Sequence, residues 1–142
     1  MKAFLDETFD TFNSNWKFHK PKIEDARLDF ESGVEELLKV FGEQVARKPG
    51  SPQFNRAIFD ALIYYHSQPS VRKSLRLKRS RVRKAYEQLF SNGSDFLKAV
   101  ESDTAGAPNT AARLRIWGKA ISRIVGEPIK APTIPGAGKK QA

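Results

Sequence analysis

The strongest constraint in this sequence is a run of apolar residues at spacings of three and four: Ile23, Ala26, Phe30, Val34, Leu37, Leu38 and Phe41. That spacing lays one apolar stripe along an α-helix for about five turns. Gly42 follows immediately and supplies the residue type that most readily ends a helix. Nowhere do apolar and polar residues alternate strictly over several positions between turn residues, so no strand competes with this reading.

The same period organises the rest of the chain. Phe4, Leu5, Thr8, Phe9 and Phe12 predict a short helix ahead of the long one. Asn13, Ser14 and Asn15 read as a loop, and His19-Lys20-Pro21 as the last residues before the long helix begins. After the breakers Pro49, Gly50 and Pro52, the residues Phe54, Ile58, Ala61, Leu62 and Tyr65 predict a third helix. Phe59, Ile63 and Tyr64 make it apolar on nearly every side, which places it at the centre of a bundle.

Beyond Pro69, Val71, Leu75, Val82, Tyr86 and Leu89 share a face if the segment is one straight helix. Lys78 would then join that face and Leu77 would leave it. A break near Ser80, with Ser80 as N-cap, removes the conflict and predicts helices from about Ser70 to Lys78 and from about Arg81 to Phe90. A turn at 91–94 leads to a short helix carrying Phe96, Leu97 and Val100. A last helix, capped by Asn109 or Thr110, shows Leu114, Trp117, Gly118, Ile121 and Val125 on one side and stops at Gly126. The expected fold is all-α: a compact bundle of about six or seven helices over residues 1–126, then a flexible, disordered Pro/Gly/Lys tail over 127–142.

Composition narrows the chemistry. With no cysteine there is neither a disulfide framework nor a thiolate nucleophile or ligand, and a reducing, cytoplasmic setting is expected. The first residues carry Asp6, Glu7 and Asp10 where a secretion signal needs an unbroken apolar run, and no apolar run approaches the ~20 residues that span a bilayer. Neither a leader nor a membrane partner is therefore expected. His19 and His66 are the only histidines, too few for a multi-histidine metal site. His66 reads as a core or capping residue and His19 as a loop residue. The pairs Asp6/Asp10 and Glu31/Glu35 place carboxylates on one helix face, an arrangement that can hold a metal but more often faces solvent. Gly136-Ala137-Gly138-Lys139-Lys140 lacks the strand, helix and hydroxyl residue of a phosphate loop and reads as tail. No cofactor and no enzymatic activity are expected.

Charge is the feature that points to a function. Residues 1–49 hold eight basic and ten acidic residues, and residues 50–142 hold seventeen basic and six acidic. No acid occurs between Asp60 and Glu87, where Arg72, Lys73, Arg76, Lys78, Arg79, Arg81, Arg83 and Lys84 crowd into thirteen positions. On a helix, Arg72, Arg76, Arg79 and Arg83 form a narrow row beside the apolar face, with Lys73, Arg81 and Lys84 further round. Such a row suits the phosphates of a nucleic-acid backbone. It equally suits an acidic protein surface, either the chain's own N-terminal half or a partner. If the row is free, reversing Arg76, Arg79 and Arg83 to Glu removes binding and leaves the fold intact. Asn55 and Arg56 read as a helix start, and Trp16, Trp117, Tyr64 and Tyr65 as core aromatics that could otherwise stack bases.

The order of FLDETFDTFN, a long helix closing on VFGE, FNRAIFDALIYY, SDFLKAVESDTAG and RLRIWGKAISRIVG resembles a known arrangement. It is similar to the C-terminal helical region of prokaryotic restriction and phage-defence proteins of the GmrSD type, whose N-terminal part is a ParB/sulfiredoxin-like nuclease domain. The resemblance covers about Phe4 to Gly126, and its most specific pieces are Phe41-Gly42-Glu43 and Phe54-Asn55-Arg56-Ala57. The family's Asp-Gly-Gln-Gln-Arg motif and its His-Asn-His domain do not occur here, so no catalytic residue carries over. The resemblance implies a truncated or split member, or a piece of one, working beside a ParB-like nuclease domain. The expected function is a non-catalytic basic module that contacts nucleic acid or docks the catalytic part, and the alternative is a structural domain that binds an acidic protein.

Overall fold

The computed structural model describes residues 2–91 and 93–138, with the side chains of residues 2–6 and 8 left aside. The expectations for Phe4, Leu5, Asp6, Thr8, Asn92, Lys139 and Lys140 as side chains thus lie outside the described residues. Within them the chain forms seven α-helices and no strand: α1 (Lys2–Ser14), α2 (Trp16–Phe41), α3 (Arg56–His66), α4 (Pro69–Leu75), α5 (Arg79–Gln88), α6 (Asp95–Glu101) and α7 (Ala107–Val125). Short 3-10 turns follow α2 at Gly42–Gln44 and α4 at Arg76–Lys78. No helix among the described residues is long and apolar enough to cross a membrane.

The central helix is α3. Ala57, Ile58, Ala61, Leu62, Ile63, Tyr65 and His66 are all buried in it, and α2, α4 and α7 pack around it. Asn55 sets its start: the side-chain oxygen accepts from Ile58 N–H at 3.0 Å, and the side-chain amide donates to Val100 O at 3.0 Å. One residue therefore caps the front of α3 and holds the end of α6. Tyr65 donates its hydroxyl to Leu114 O at 2.8 Å and lies against Gly118 of α7. A Cβ built on Gly118 would stand 2.2 Å from that hydroxyl oxygen, so glycine lets the two helices approach.

The long helix ends at Phe41 ahead of Gly42, as expected, but departs from expectation at its start. It begins at Trp16, so His19 and Pro21 are helical and only Asn15 separates α1 from α2. Proline is tolerated there because it removes a single bond near the helix start. Burial begins only at Gly33, and the buried residues are Gly33, Glu36, Leu37, Val40 and Phe41. Phe30 and Leu38 of the apolar stripe remain about half exposed. The first half of α2 and the described side chains of α1 thus extend beyond the core, presenting Phe9, Phe12, Trp16 and Phe18 to solvent.

Other boundaries shift by a few residues. The break in the basic segment falls at Arg76–Lys78, the N-cap of α5 is Lys78, and Ser80 lies inside the helix. Leu77, at the break, is 98% exposed, while Leu75 and Val82 on either side are buried. Helix α7 begins at Ala107 behind Gly106, so Asn109 and Thr110 lie inside its first turns. Asn109 instead donates back to Ser102 O at 2.7 Å, and Thr110 to Gly106 O at 3.0 Å. Gly126 ends α7 in the left-handed conformation, φ 96°, as its position predicts. Residues 127–138 have no helix or strand, and Ile129 and Ile134 lie half-buried against the core.

Two substitutions test this packing. Leu62→Ala removes a fully buried side chain of α3 and is expected to cost about 2–5 kcal/mol. Gly118→Ala forces a methyl group into the Tyr65 hydroxyl and is expected to cost about 1–3 kcal/mol. Urea titration of both variants measures each loss directly; a change under about 0.5 kcal/mol in either would contradict the contact described.

Candidate functional site

The basic segment forms α4, the 3-10 turn after it and α5, and it lies against α2 and α7. Every α-helix ends with four carbonyls that lack an internal donor and carry the negative end of the dipole. Three such ends meet this segment. Arg72, only 8% exposed, donates to His66 O and Ser67 O, both at 2.9 Å, closing α3. Lys78 donates to Ile124 O at 3.0 Å and Val125 O at 3.2 Å, closing α7. Arg83 donates to Val40 O through Nε at 3.0 Å and also through Nη2, closing α2.

Two carboxylates of α2 hold the same segment. Arg72 Nη2 pairs with Asp29 at 3.1 Å. Arg79 makes a two-pronged contact with Glu36, Nε to Oε1 at 2.7 Å and Nη2 to Oε2 at 3.0 Å. The Glu36 side chain is 2% exposed, a burial that alone would raise its pKa. The Arg79 hydrogen bonds and charge, with Lys39 and Arg76 adding, outweigh it and hold the carboxyl below its ordinary value. Arg79 is correspondingly held above its own.

The free arginine row is therefore corrected. Arg72, Arg79 and Arg83 face the chain's own helices, and the acidic N-terminal half that competes for this face is α2. Lys78, the charge that a single straight helix would put on the apolar face, is a helix cap. What remains outward is Lys73, Arg76, Arg81 and Lys84, all exposed and without a side-chain hydrogen bond or ion pair among the described residues. Lys73 lies on α4, Arg76 in the turn, and Arg81 and Lys84 on opposite flanks of α5. Lys84 lines an open groove of about 540 Å³ between α5 and α2, with Lys39 and Glu87. Arg81 lines a second groove, against α7, with Gln88 and Arg123.

The remaining candidates separate. Tyr65 and Trp117 are core residues with no exposure, whereas Trp16 and Tyr64 are exposed. His66 is buried, with Nδ1 2.9 Å from Leu62 O, so that nitrogen carries the proton, while Nε2 has no partner among the described residues. Burial holds its pKa below the ordinary value. His19 lies on α2 between the Phe12 and Phe18 rings. Glu31 pairs with Arg27 at 2.6 Å on the surface. Among the described residues no three His, Asp or Glu side chains come together as metal ligands do. No family model, curated protein or solved structure matches the chain.

Sequence reasoning missed Glu36, yet a signal existed. Glu36 lies three residues from Gly33 and four from Val40, on the face that α2 buries. A carboxylate there needs a cation brought to it.

The sign of the pH effect follows. Because the folded Glu36 pKa is below its unfolded value, its stabilisation is complete above the ordinary carboxylate range and is lost as pH falls through that range. Glu36→Gln is expected to lower the urea midpoint at pH 7 and to converge with wild type in acid. Arg79→Glu sets two carboxylates together and is expected to lower the urea midpoint at pH 7 further than Glu36→Gln does, since it leaves the buried Glu36 facing a like charge. Parallel pH profiles for wild type and Glu36→Gln would remove Glu36 from this role.

Proposed function

We propose that this chain is a non-catalytic basic helical module of a restriction or phage-defence nuclease system, and that the outward side of α4 and α5 contacts nucleic-acid phosphates. One observation carries the reading: after the internal caps are subtracted, Lys73, Arg76, Arg81 and Lys84 remain exposed in a stretch with no acid from Asp60 to Glu87. Lys39 adds a fifth cation across the α2 groove. Exposed cations spread over α4, the turn after it and α5 meet a backbone of repeated charge and carry no base information of their own, so binding is tolerant of sequence. The link to a nuclease system is supported by the order of the segments that resemble the GmrSD-type proteins. A ParB-like nuclease domain then supplies the chemistry.

A second reading is favoured by a different observation. Phe9, Phe12, Trp16 and Phe18 are exposed along α1 and the start of α2, which charge does not explain and which suits docking on a protein. In that reading the chain is an interaction domain and the basic face meets an acidic partner.

Fluorescence anisotropy on duplex DNA at low salt separates the two. Wild type is expected to bind with log K falling against log salt at a slope of roughly −4, one phosphate per free cation. The variant Arg76→Glu/Arg81→Glu/Lys84→Glu should lose binding while its circular dichroism stays that of wild type, because none of the three holds a helix end. Arg79 and Arg83 are unsuitable for this test since they hold α2. Equal, weak binding by wild type and variant would favour the docking reading.

A further inference from the structure

Apart from these grooves, an open cavity of about 580 Å³ is lined by Arg56, Asp60, Thr104, Thr110 and Arg113. It shares no residue with the α4–α5 face. Two helices start at its rim, α3 at Arg56 and α7 at Ala107, and bring the positive ends of their dipoles to it. Their lengths are 11 and 19 residues. Helix starts alone do not define a site, but the cations beside them are unusual.

Arg113 is 4% exposed. Its Nη1 donates to Thr104 O at 2.9 Å, its Nε is buried with no acceptor, and no carboxylate among the described residues lies within ion-pairing distance. A buried guanidinium with one bond and no ion-paired carboxylate is an under-compensated charge. Asp60 is close enough to favour its charged form, though burial has the larger effect and lowers its pKa. Arg56 occupies the first turn of α3, where a positive charge opposes the helix dipole, and it too has no partner among the described residues. Both arginines are placed at a cost that an anion in the cavity they line would offset.

The geometry points to a phosphate-binding site in this cavity, formed by the Arg56 and Arg113 guanidiniums and opposed by Asp60. A tetrahedral oxyanion offers acceptors in several directions at once and so suits donors from two helices better than a planar carboxylate does. The loop that walls the cavity is already held: Asn109 and Arg113 of α7 bond Ser102 O and Thr104 O. The site is thus preformed. Its phosphate comes either as the free ion or as the terminal phosphate of a nucleic-acid strand, and the two sources are separable.

The test is a ¹⁵N NMR titration of the whole chain with inorganic phosphate at constant ionic strength. Saturable shifts are expected at Ala57, Thr104, Ala105 and the Arg113 Nε–H. Arg56→Ala should weaken binding at least about threefold and Asp60→Asn should tighten it by a similar factor, since removing a like charge favours an anion. A merely structural role for these exposed residues would not move affinity in opposite directions. A 5′-phosphorylated oligonucleotide that shifts the same residues, where its unphosphorylated form does not, identifies the strand end as the source. Shifts there by inorganic phosphate but by neither oligonucleotide identify the free ion. Shifts confined to α4 and α5, equal response to acetate, or no effect of either substitution would overturn the assignment. The variant Arg76→Glu/Arg81→Glu/Lys84→Glu should bind phosphate unchanged, so failure of the DNA reading and failure of this one are distinguishable.

Discussion

Three helices of this bundle end against one short stretch of chain. The carbonyls that α2, α3 and α7 leave unpaired are met by Arg83, Arg72 and Lys78, which lie within twelve residues of each other. Lysine or arginine at a helix C-terminus satisfies orphan acceptors and opposes the dipole at the same time. Here the three caps are joined by covalent chain, so placing one places the others. The Arg79–Glu36 pair fixes the register of the stretch against α2. Concentrated positive charge, which would otherwise repel itself, is thereby divided into an inward set that closes helices and an outward set that does not.

That division explains what was legible beforehand. Period and breakers located each helix, because a stripe such as Ile58, Ala61, Leu62 and Tyr65 has few ways to be buried other than helically. The left-handed Gly126 was legible for the same local reason. Less legible was anything set by a distant partner. Pro21 reads as a breaker, yet it loses little near the start of α2. Ser80 reads as a cap, yet the turn comes earlier because Lys78 reaches the end of α7. Arg72, Arg79 and Arg83 read as one row from angles on a helix, and angles do not say whether a row faces water or Glu36.

The two proposed sites differ in kind. On α4 and α5 the cations are exposed and spaced, so each phosphate contact is screened by salt and the whole is additive. In the cavity by α7 a buried guanidinium, Arg113, and an exposed one, Arg56, line one concave wall, so a single anion is the natural occupant. A chain with both has a surface for tracking a backbone and a pocket for seating a single group.

Helix α2 has 26 residues, about 39 Å, and only its second half is buried. An isolated helix of the length that overhangs would be marginal in water, because the first turn is costly to form. Here the anchored half has already formed that turn, and each further residue toward Trp16 adds a hydrogen bond at the lower cost of propagation. The overhang is therefore a zipper with one fixed end. Loss of order runs inward from the N-terminal side and halts near Asp29, which Arg72 holds, and any surface that covers Trp16 or Phe18 extends the helix outward without having to nucleate it.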